Sequence, residues 1–310
     1  MRILSIGEIL WDVIGENEYL GGAPLNFAAH ARRLGHEVFL LSAVGNDDRG
    51  RRALDGLRRF GIATELVQVP AGQKTGTAEV ELDSEGKPEF RIVHPAAYDF
   101  VDLDPEQIKR IADLQPDWIY FGTLYHMTGQ ALASTLKLLK AVPSARRFYD
   151  VNLREGHWSL SVVEQLSSQA TVIKLSDGET EFLDASVNAE NESGSAENFC
   201  RRWSEQYHCD TICVTCGERG CAIFHDSRYS EIPGHKIEVG DTVGAGDAFS
   251  AAFLHGIEQG WGARHAGMFA NTVGALVASR LGATPEWHVS ECWPMLGKNF
   301  ERIEVAKSQD

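Results

Sequence analysis

The sequence predicts an α/β fold with a mostly parallel central sheet covered by helices, on three observations. Strand-like apolar runs alternate with helix-like runs over nearly all of the 310 residues, the pattern left by strands joined through helical crossovers. The helical runs carry their own punctuation: Pro24 near the start of one, Gly35 just past its end, and Gly61 closing the next. The run Thr211-Ile-Cys-Val-Thr215 has the look of a buried strand.

In order, a strand is expected over Arg2–Ile9, a helix over Pro24–Leu34, a strand over Val38–Val44 and an amphipathic helix over Asp48–Phe60. Further strands are expected at Trp118–Phe121, Phe148–Asn152, Val172–Leu175 and Thr211–Thr215. Helices are expected at Gln130–Lys140, Ser159–Ser168, Ala196–Tyr207, Ala248–Gln259 and Ala263–Arg280. No internal repeat is present, and residues 1–310 read as a single domain.

One region breaks the alternation. Thr75–Leu82 alternates small or apolar with polar residues, Asp83-Ser-Glu-Gly86 makes a turn, and Glu89–Val93 completes an antiparallel hairpin. With residues around Trp11–Leu20 it is expected to form a small sheet, a lid built from about 11–20 and 73–95. Closure of a lid excludes water from group transfer; a peripheral hairpin without a gating role is the alternative. Asp184–Asn198, with its Ser, Asn, Glu and Gly, is expected to be an exposed connector.

A net charge of −15 argues against nucleic acid or an anionic membrane as partner, since both reward clustered Lys and Arg. No stretch approaches the roughly 18 apolar residues of a membrane helix. Met1-Arg-Ile-Leu-Ser-Ile-Gly7 enters a strand too directly for a signal peptide, so a cytoplasmic protein is expected. Of the six cysteines, Cys213 and Cys216 form a C-x-x-C flanked by Cys209 and Cys221. A zinc knuckle is conceivable, but in a strand Cys213 and Cys216 point to opposite faces, which favours buried structural thiols.

The most informative segment is Asp241-Thr-Val-Gly-Ala-Gly-Asp-Ala-Phe249, a Gly-punctuated turn that runs into a helix. The first N–H groups of a helix lack intrahelical partners and lie at the positive end of its dipole. Gly244 and Gly246 allow close backbone approach, so the turn is suited to hold a phosphoryl group. Asp247 stands beside it, where a carboxylate takes a proton from an attacking hydroxyl. The motif therefore suggests phosphoryl transfer to an alcohol. It is neither a Walker A loop nor a dinucleotide fingerprint after the first strand, which removes a nicotinamide-dependent dehydrogenase.

Two further segments are ambiguous by themselves. Gly21-Gly-Ala-Pro-Leu-Asn26 opens a helix and serves either a polar ligand or packing alone. In Val44-Gly-Asn-Asp-Asp-Arg-Gly50, Asp47 is either a hydroxyl acceptor or a helix N-cap. Together with Val214-Thr-Cys-Gly-Glu-Arg-Gly220 and the Asp241–Phe249 turn, in this order, they resemble the PfkB, or ribokinase-like, family of carbohydrate kinases. Gly7-Glu-Ile-Leu-Trp-Asp12 and Asp150-Val-Asn-Leu-Arg154 are most similar to the bacterial fructokinase branch.

The resemblance implies a three-layer α/β sandwich with a β-sheet lid, ATP and Mg²⁺ as co-substrates, and often a monovalent cation such as K⁺. It implies Asp247 as catalytic base and the amides of Gly244, Ala245 and Gly246 as the anion hole. Asp12, Gly22 and Asn26 match sugar-contacting positions, and Arg154 a position near sugar or phosphate. Thr215 and Gly217 match the strand–turn that touches nucleotide phosphates, and Asn271 a position beside adenine or ribose. Glu179 matches a residue that positions Mg²⁺ through water, and Asp241 and Thr242 the monovalent-cation loop. Two positions depart from the pattern: Ser176 stands where N-x-x-E has Asn, and Cys216 where an aliphatic residue is usual. The implied reaction is ATP-dependent phosphorylation of a sugar, fructose to fructose 6-phosphate, by a homodimer. Another sugar (2-keto-3-deoxygluconate, ribose), a nucleoside, or a non-catalytic binding regulator of the same fold are the alternatives.

Overall fold

In the computed structural model the chain opens with β1 (Arg2–Ile6), β2 (Leu10–Ile14), β3 (Asn17–Gly21) and α1 (Ala23–Arg33). Next come β4 (Glu37–Ala43), α2 (Asp48–Arg59), β5 (Val67–Gln68), β6 (Gly76–Leu82) and β7 (Pro88–Ile92). The middle alternates α3 (Pro105–Asp113), β8 (Trp118–Gly122), α4 (Gly129–Ala141), β9 (Arg146–Asp150), α5 (Leu160–Ser167) and β10 (Val172–Ser176). Then follow α6 (Asp177–Val187), α7 (Ala196–Tyr207), β11 (Thr211–Thr215), β12 (Gly220–His225), β13 (Arg228–Pro233), α8 (Ala245–Glu258) and α9 (Ala263–Ala278). The structure describes residues 1–82, 88–187 and 195–297.

The main sheet is 9-stranded, in the order β13-β12-β11-β10-β9-β8-β1-β4-β5. From β11 to β5 neighbouring strands are parallel, while β12 and β13 add an antiparallel edge. Alternate side chains face opposite layers. Ile3, Val38, Leu40, Trp118 and Tyr120 pack with residues of α1, α2, α8 and α9. Leu4, Leu41, Ile119, Phe121 and Tyr149 pack with residues of α3, α4, α5 and α7. Both faces are dry, which is why these strands read as near-continuous apolar runs. The result is the expected three-layer α/β sandwich.

The small sheet also forms, in the order β3-β2-β6-β7, with β2 and β6 parallel and the other pairs antiparallel. The expected turn at Asp83–Gly86 lies outside the described residues. Asp47 resolves its two readings by capping α2 and anchoring the small sheet. Its Oδ1 accepts from Gly50 N at 2.7 Å and Thr75 Oγ1 at 2.6 Å, and its Oδ2 from Thr75 N at 2.8 Å.

Several boundaries differ from expectation for identifiable reasons. The strand expected over Arg2–Ile9 stops at Ile6, because Gly7 takes φ 154° and the chain leaves for the small sheet. A β-carbon on Gly7 would lie 2.3 Å from Pro24 Cγ, so the close approach of α1 requires glycine there. The hairpin β12–β13 was not anticipated. Its turn places Asp226 and Ser227 at φ 49° and 60°, a primed-turn geometry usually announced by Asn-Gly. Both ends of the expected Asp184–Asn198 connector are helical, in α6 and α7. Leu183 is fully buried and the Arg202–Asp184 ion pair ties the two helices; residues 188–194 lie outside the described residues. Cys213 and Cys216 do face opposite layers. No described helix is long and apolar enough to cross a membrane.

His126 illustrates a buried polar group that is fully matched. Its Nδ1 lies 2.6 Å from Gly122 O and its Nε2 3.0 Å from Thr135 Oγ1, which makes Nδ1–H the donor and the hydroxyl the donor to Nε2. Burial pulls its pKa down to about 4. The unfolded chain therefore takes up this proton first, so the stabilisation is complete above about 6.5 and is lost as pH falls toward 4. Urea denaturation of wild type and His126→Gln across pH 7 to 4.5 is expected to show their stability gap shrinking below pH 6.5, by up to about 1.4 kcal/mol per pH unit. A gap independent of pH would refute the neutral buried imidazole.

Candidate active site

The turn before α8 has a conformation few sequences tolerate. Gly244 caps the helix at φ 77°, and a β-carbon there would lie 2.2 Å from Ala283 O. The first full helical hydrogen bond runs from Ala248 N to Gly244 O at 2.9 Å. The amides of Gly246 and Asp247 precede it, at the electropositive helix start.

Asp247 lies in the first turn of α8 and is 9% exposed. Its Oδ2 accepts from Asn26 Nδ2 at 2.8 Å, so a residue of α1 holds the carboxylate of α8. Burial, followed by the negative charge of Asp150, raises its pKa to about 7; the Asn26 bond, Lys174 and Arg154 act against that rise. A carboxyl balanced near neutrality can both accept and release a proton under working conditions. Among the described residues Asn26 Oδ1 is buried without a hydrogen-bond partner.

The N-terminal segments converge on this carboxylate. Glu8 Oε1 accepts from Ala23 N at 3.1 Å at the start of α1, and burial raises its pKa to about 7. Burial raises Asp12 to about 6, with Arg154 opposing. The Asp12 carboxylate makes no hydrogen bond among the described residues, and its Oδ2 lies only 2.8 Å from where a β-carbon on Gly21 would sit. Gly22 is dictated by packing, since at φ 111° its β-carbon would lie 2.5 Å from Glu8 O. Arg154 is exposed; among the described residues its guanidinium donates to Leu153 O at 3.2 Å, and it reaches Glu8, Asp12 and Asp247 electrostatically. Asp12, Asn26, Arg154 and Asp247 thus share one site.

Of the remaining sequence-predicted residues, Thr215, Gly217 and Glu179 lie at the C-terminal ends of β10 and β11, Asn271 against β13, and Asp241 and Thr242 in the loop between β13 and α8. Thr215 Oγ1 donates to Leu175 O at 3.4 Å, and Gly217 starts a tight turn at φ 57°. Asn271 Nδ2 bonds Ile232 O and Pro233 O, both at 3.2 Å, and so staples α9 to β13. Asp241 bridges two loops, accepting from Val243 N at 3.0 Å and Gly282 N at 3.1 Å; Thr242 beside it is exposed. Ser176 and Glu179 form a capping box at the start of α6. Ser176 Oγ accepts from Glu179 N at 3.2 Å, and Glu179 Oε2 accepts from Ser176 N at 2.6 Å. Glu179 Oε1 accepts from Leu153 N at 2.5 Å, so Ser176 has a full role without the usual Asn.

Sequence reasoning missed a buried cluster behind Asp247. Asp150, fully buried, accepts from Lys174 Nζ at 3.0 and 3.2 Å, Tyr120 OH at 3.1 Å and Ser250 Oγ at 2.9 Å. The available signal was Lys174 itself, a lone charge inside the apolar run Val172–Leu175.

A buried, ionisable carboxyl in the first turn of a helix, within a three-layer α/β sandwich, suits phosphoryl transfer to an alcohol. Residues 7–289 match the pfkB family carbohydrate kinases, and the chain belongs to that family. It is a sugar kinase. A fructokinase of Klebsiella pneumoniae is 29% identical, the match covering 91% of this chain and 94% of that one. A sugar kinase of Pyrococcus horikoshii, solved in complex with ATP, is 27% identical with TM-score 0.78, covering 93% of this chain and 96% of that one. The fructokinase of Xylella fastidiosa with bound ATP shares the fold at TM-score 0.82 and 24% identity, over 95% and 97% of the two chains.

The Asn26 bond favours the ionised form of Asp247, so its removal shifts the pKa of that carboxyl upward. In Asn26→Ala the acid limb of the pH profile of kcat/KM is expected to move up by about 1 pH unit, because a hydrogen bond to a charged group is worth about 1.5–3 kcal/mol. An unmoved limb would show that Asp247 is not the group that titrates in the free enzyme.

Proposed function

We propose that this protein transfers the γ-phosphoryl group of ATP to a hydroxyl of a neutral sugar, with fructose as acceptor and fructose 6-phosphate as product. The observation that carries the reading is the buried Asp247 carboxylate, held by Asn26 in the first turn of a helix where the amides of Gly246 and Asp247 precede the first helical hydrogen bond. The fructokinase relative and the ATP-bound sugar kinase support the choice of acceptor and donor.

The sugar hydroxyl gives its proton to Asp247 as its oxygen forms a bond to the γ-phosphorus. The bond from that phosphorus to the bridging oxygen breaks, and ADP leaves. The amides of Gly244 and Gly246 receive the migrating charge, while the Ala245 amide already donates to Thr242 O at 3.3 Å; catalysis is mostly positioning and charge stabilisation. Asp12 and Asn26 Oδ1 supply acceptors for sugar hydroxyls. Glu8 and Asp12 crowd carboxyls beside the acceptor, with Arg154 as their opposing charge. That balance favours a neutral sugar over a sugar acid.

Thr215, Gly217 and Asn271 take the nucleotide in this reading. Near Glu179, a magnesium ion bound with the nucleotide would supply charge neutralisation for the phosphates. Both Glu179 oxygens already accept from the protein, so Glu179 fits an ion held through water rather than directly. Asp241 and Thr242 take the monovalent cation. The small sheet acts as the lid, and its exposed Ile14 and Tyr19, 45% and 52% accessible, favour pairing of two copies as a homodimer.

Coupled ADP-release assays with fructose, ribose and 2-keto-3-deoxygluconate test the acceptor; the highest kcat/KM is expected for fructose. Asp247→Asn is expected to lower kcat by at least about 10²-fold with little change in KM. Sugar binding without ADP release in the wild type would indicate a regulator, and near-wild-type turnover of the variant would remove the base.

A further inference from the structure

Lys174 is buried on β10, 6% exposed, with no role in the scheme above. Its Nζ lies 3.3 Å from where a β-carbon on Gly246 would sit, so the ammonium packs against the backbone of the anion site. Asp150, its partner across β9 and β10, takes it with both oxygens at 3.0 and 3.2 Å. An ammonium has three donors, and Asp150 engages two. Asp150 is itself fixed by Tyr120 OH and by Ser250 Oγ; the serine hydroxyl also lies 3.0 Å from Gly246 O. Ser250 and Lys174 therefore meet Gly246 from the same buried cluster.

Stability does not account for this arrangement. A buried ion pair is often replaced by apolar groups at no cost or with a gain. Location does account for it. Lys174 lies within the field of Asp150, Glu179 and Asp247, the place where a phosphoryl group would add negative charge. Pairing with Asp150 also keeps the ammonium from capturing Asp247, which must stay free to take a proton.

We propose that Lys174 is a catalytic residue whose unspent N–H contacts the phosphoryl group in transit, and that Asp150 is the positioning residue that holds it against Gly246. The assignment rests on the reading of the Gly244–Asp247 turn as the phosphoryl site. The bonds made and broken are those already described; Lys174 donates a hydrogen bond and keeps its proton.

The test compares Lys174→Met, Lys174→Arg, the double variant Lys174→Met with Asp150→Asn, and Asp247→Asn. The double variant leaves no uncompensated buried charge, so it keeps the test open if Lys174→Met alone does not fold. Both Met-containing variants are expected to lose about 10²- to 10³-fold in kcat, with sugar KM unchanged, and Arg is expected to recover part of that loss. By calorimetry, affinity for the β,γ-imido analogue of ATP should fall about tenfold while ADP affinity holds, about 1.4 kcal/mol confined to the γ-position. Equal loss of ADP and analogue would mark a structural role and overturn the proposal. A folded double variant with kcat within about threefold of wild type, beside an inactive Asp247→Asn, would overturn the Lys174 assignment alone. If Asp247→Asn also turned over normally, the reading of the turn would fall with it.

Discussion

A carboxylate has to be kept nearly dry and still be able to ionise, and that demand at Asp247 organises the molecule. Desolvation pushes the proton on; the Asn26 amide and nearby cations pull it off. Asn26 stands 221 residues earlier in the chain, so the balance exists only when α1 lies against α8. That docking is why the chain leaves β1 so abruptly. Gly7 admits Pro24, Gly22 admits the carbonyl of Glu8, and α1 starts close to the sheet. The glycines near the N-terminus thus serve the Asp247 carboxylate near the C-terminus through packing.

Much of this was legible in the sequence because it depends on local chemistry. Gly244 and Gly246 announce a tight turn, and the helix after it is continuous in Ala and Phe. The apolar strands announce a sheet covered on both faces. What stayed hidden depends on partners far away in sequence. The β12–β13 hairpin turns through Asp226 and Ser227 at positive φ without a glycine, so nothing local distinguishes it from a loop. Ser176 read as a departure from a metal-positioning pattern, although S-x-x-E is itself the sequence of a capping box. Lys174 stands out in an apolar run, but its partner is set only when β9 places Asp150 beside it.

Gly22 separates two kinds of reason for a residue in a motif. It matches a proposed sugar-contacting position, yet its β-carbon is excluded by Glu8 O at 2.5 Å whether or not sugar is bound. The same holds for Gly244 against Ala283 O. In both places the fold forbids a side chain and thereby exposes backbone, and exposed backbone at a helix start is what a polar or anionic ligand needs. Packing and binding are here one constraint.

The two cations near Asp247 divide along the same line. Arg154 is exposed, and among the described residues its guanidinium is tethered by one bond, to the neighbouring Leu153 O, so it can follow an acceptor that enters and leaves. Lys174 is buried and fixed by Asp150, which Tyr120 and Ser250 fix in turn. A dipole or charge that is already oriented costs no reorganisation when charge develops, and it acts most strongly where water is excluded. A mobile cation suits the substrate that must exchange each turnover. A fixed one suits the transition state, whose position relative to α8 does not change.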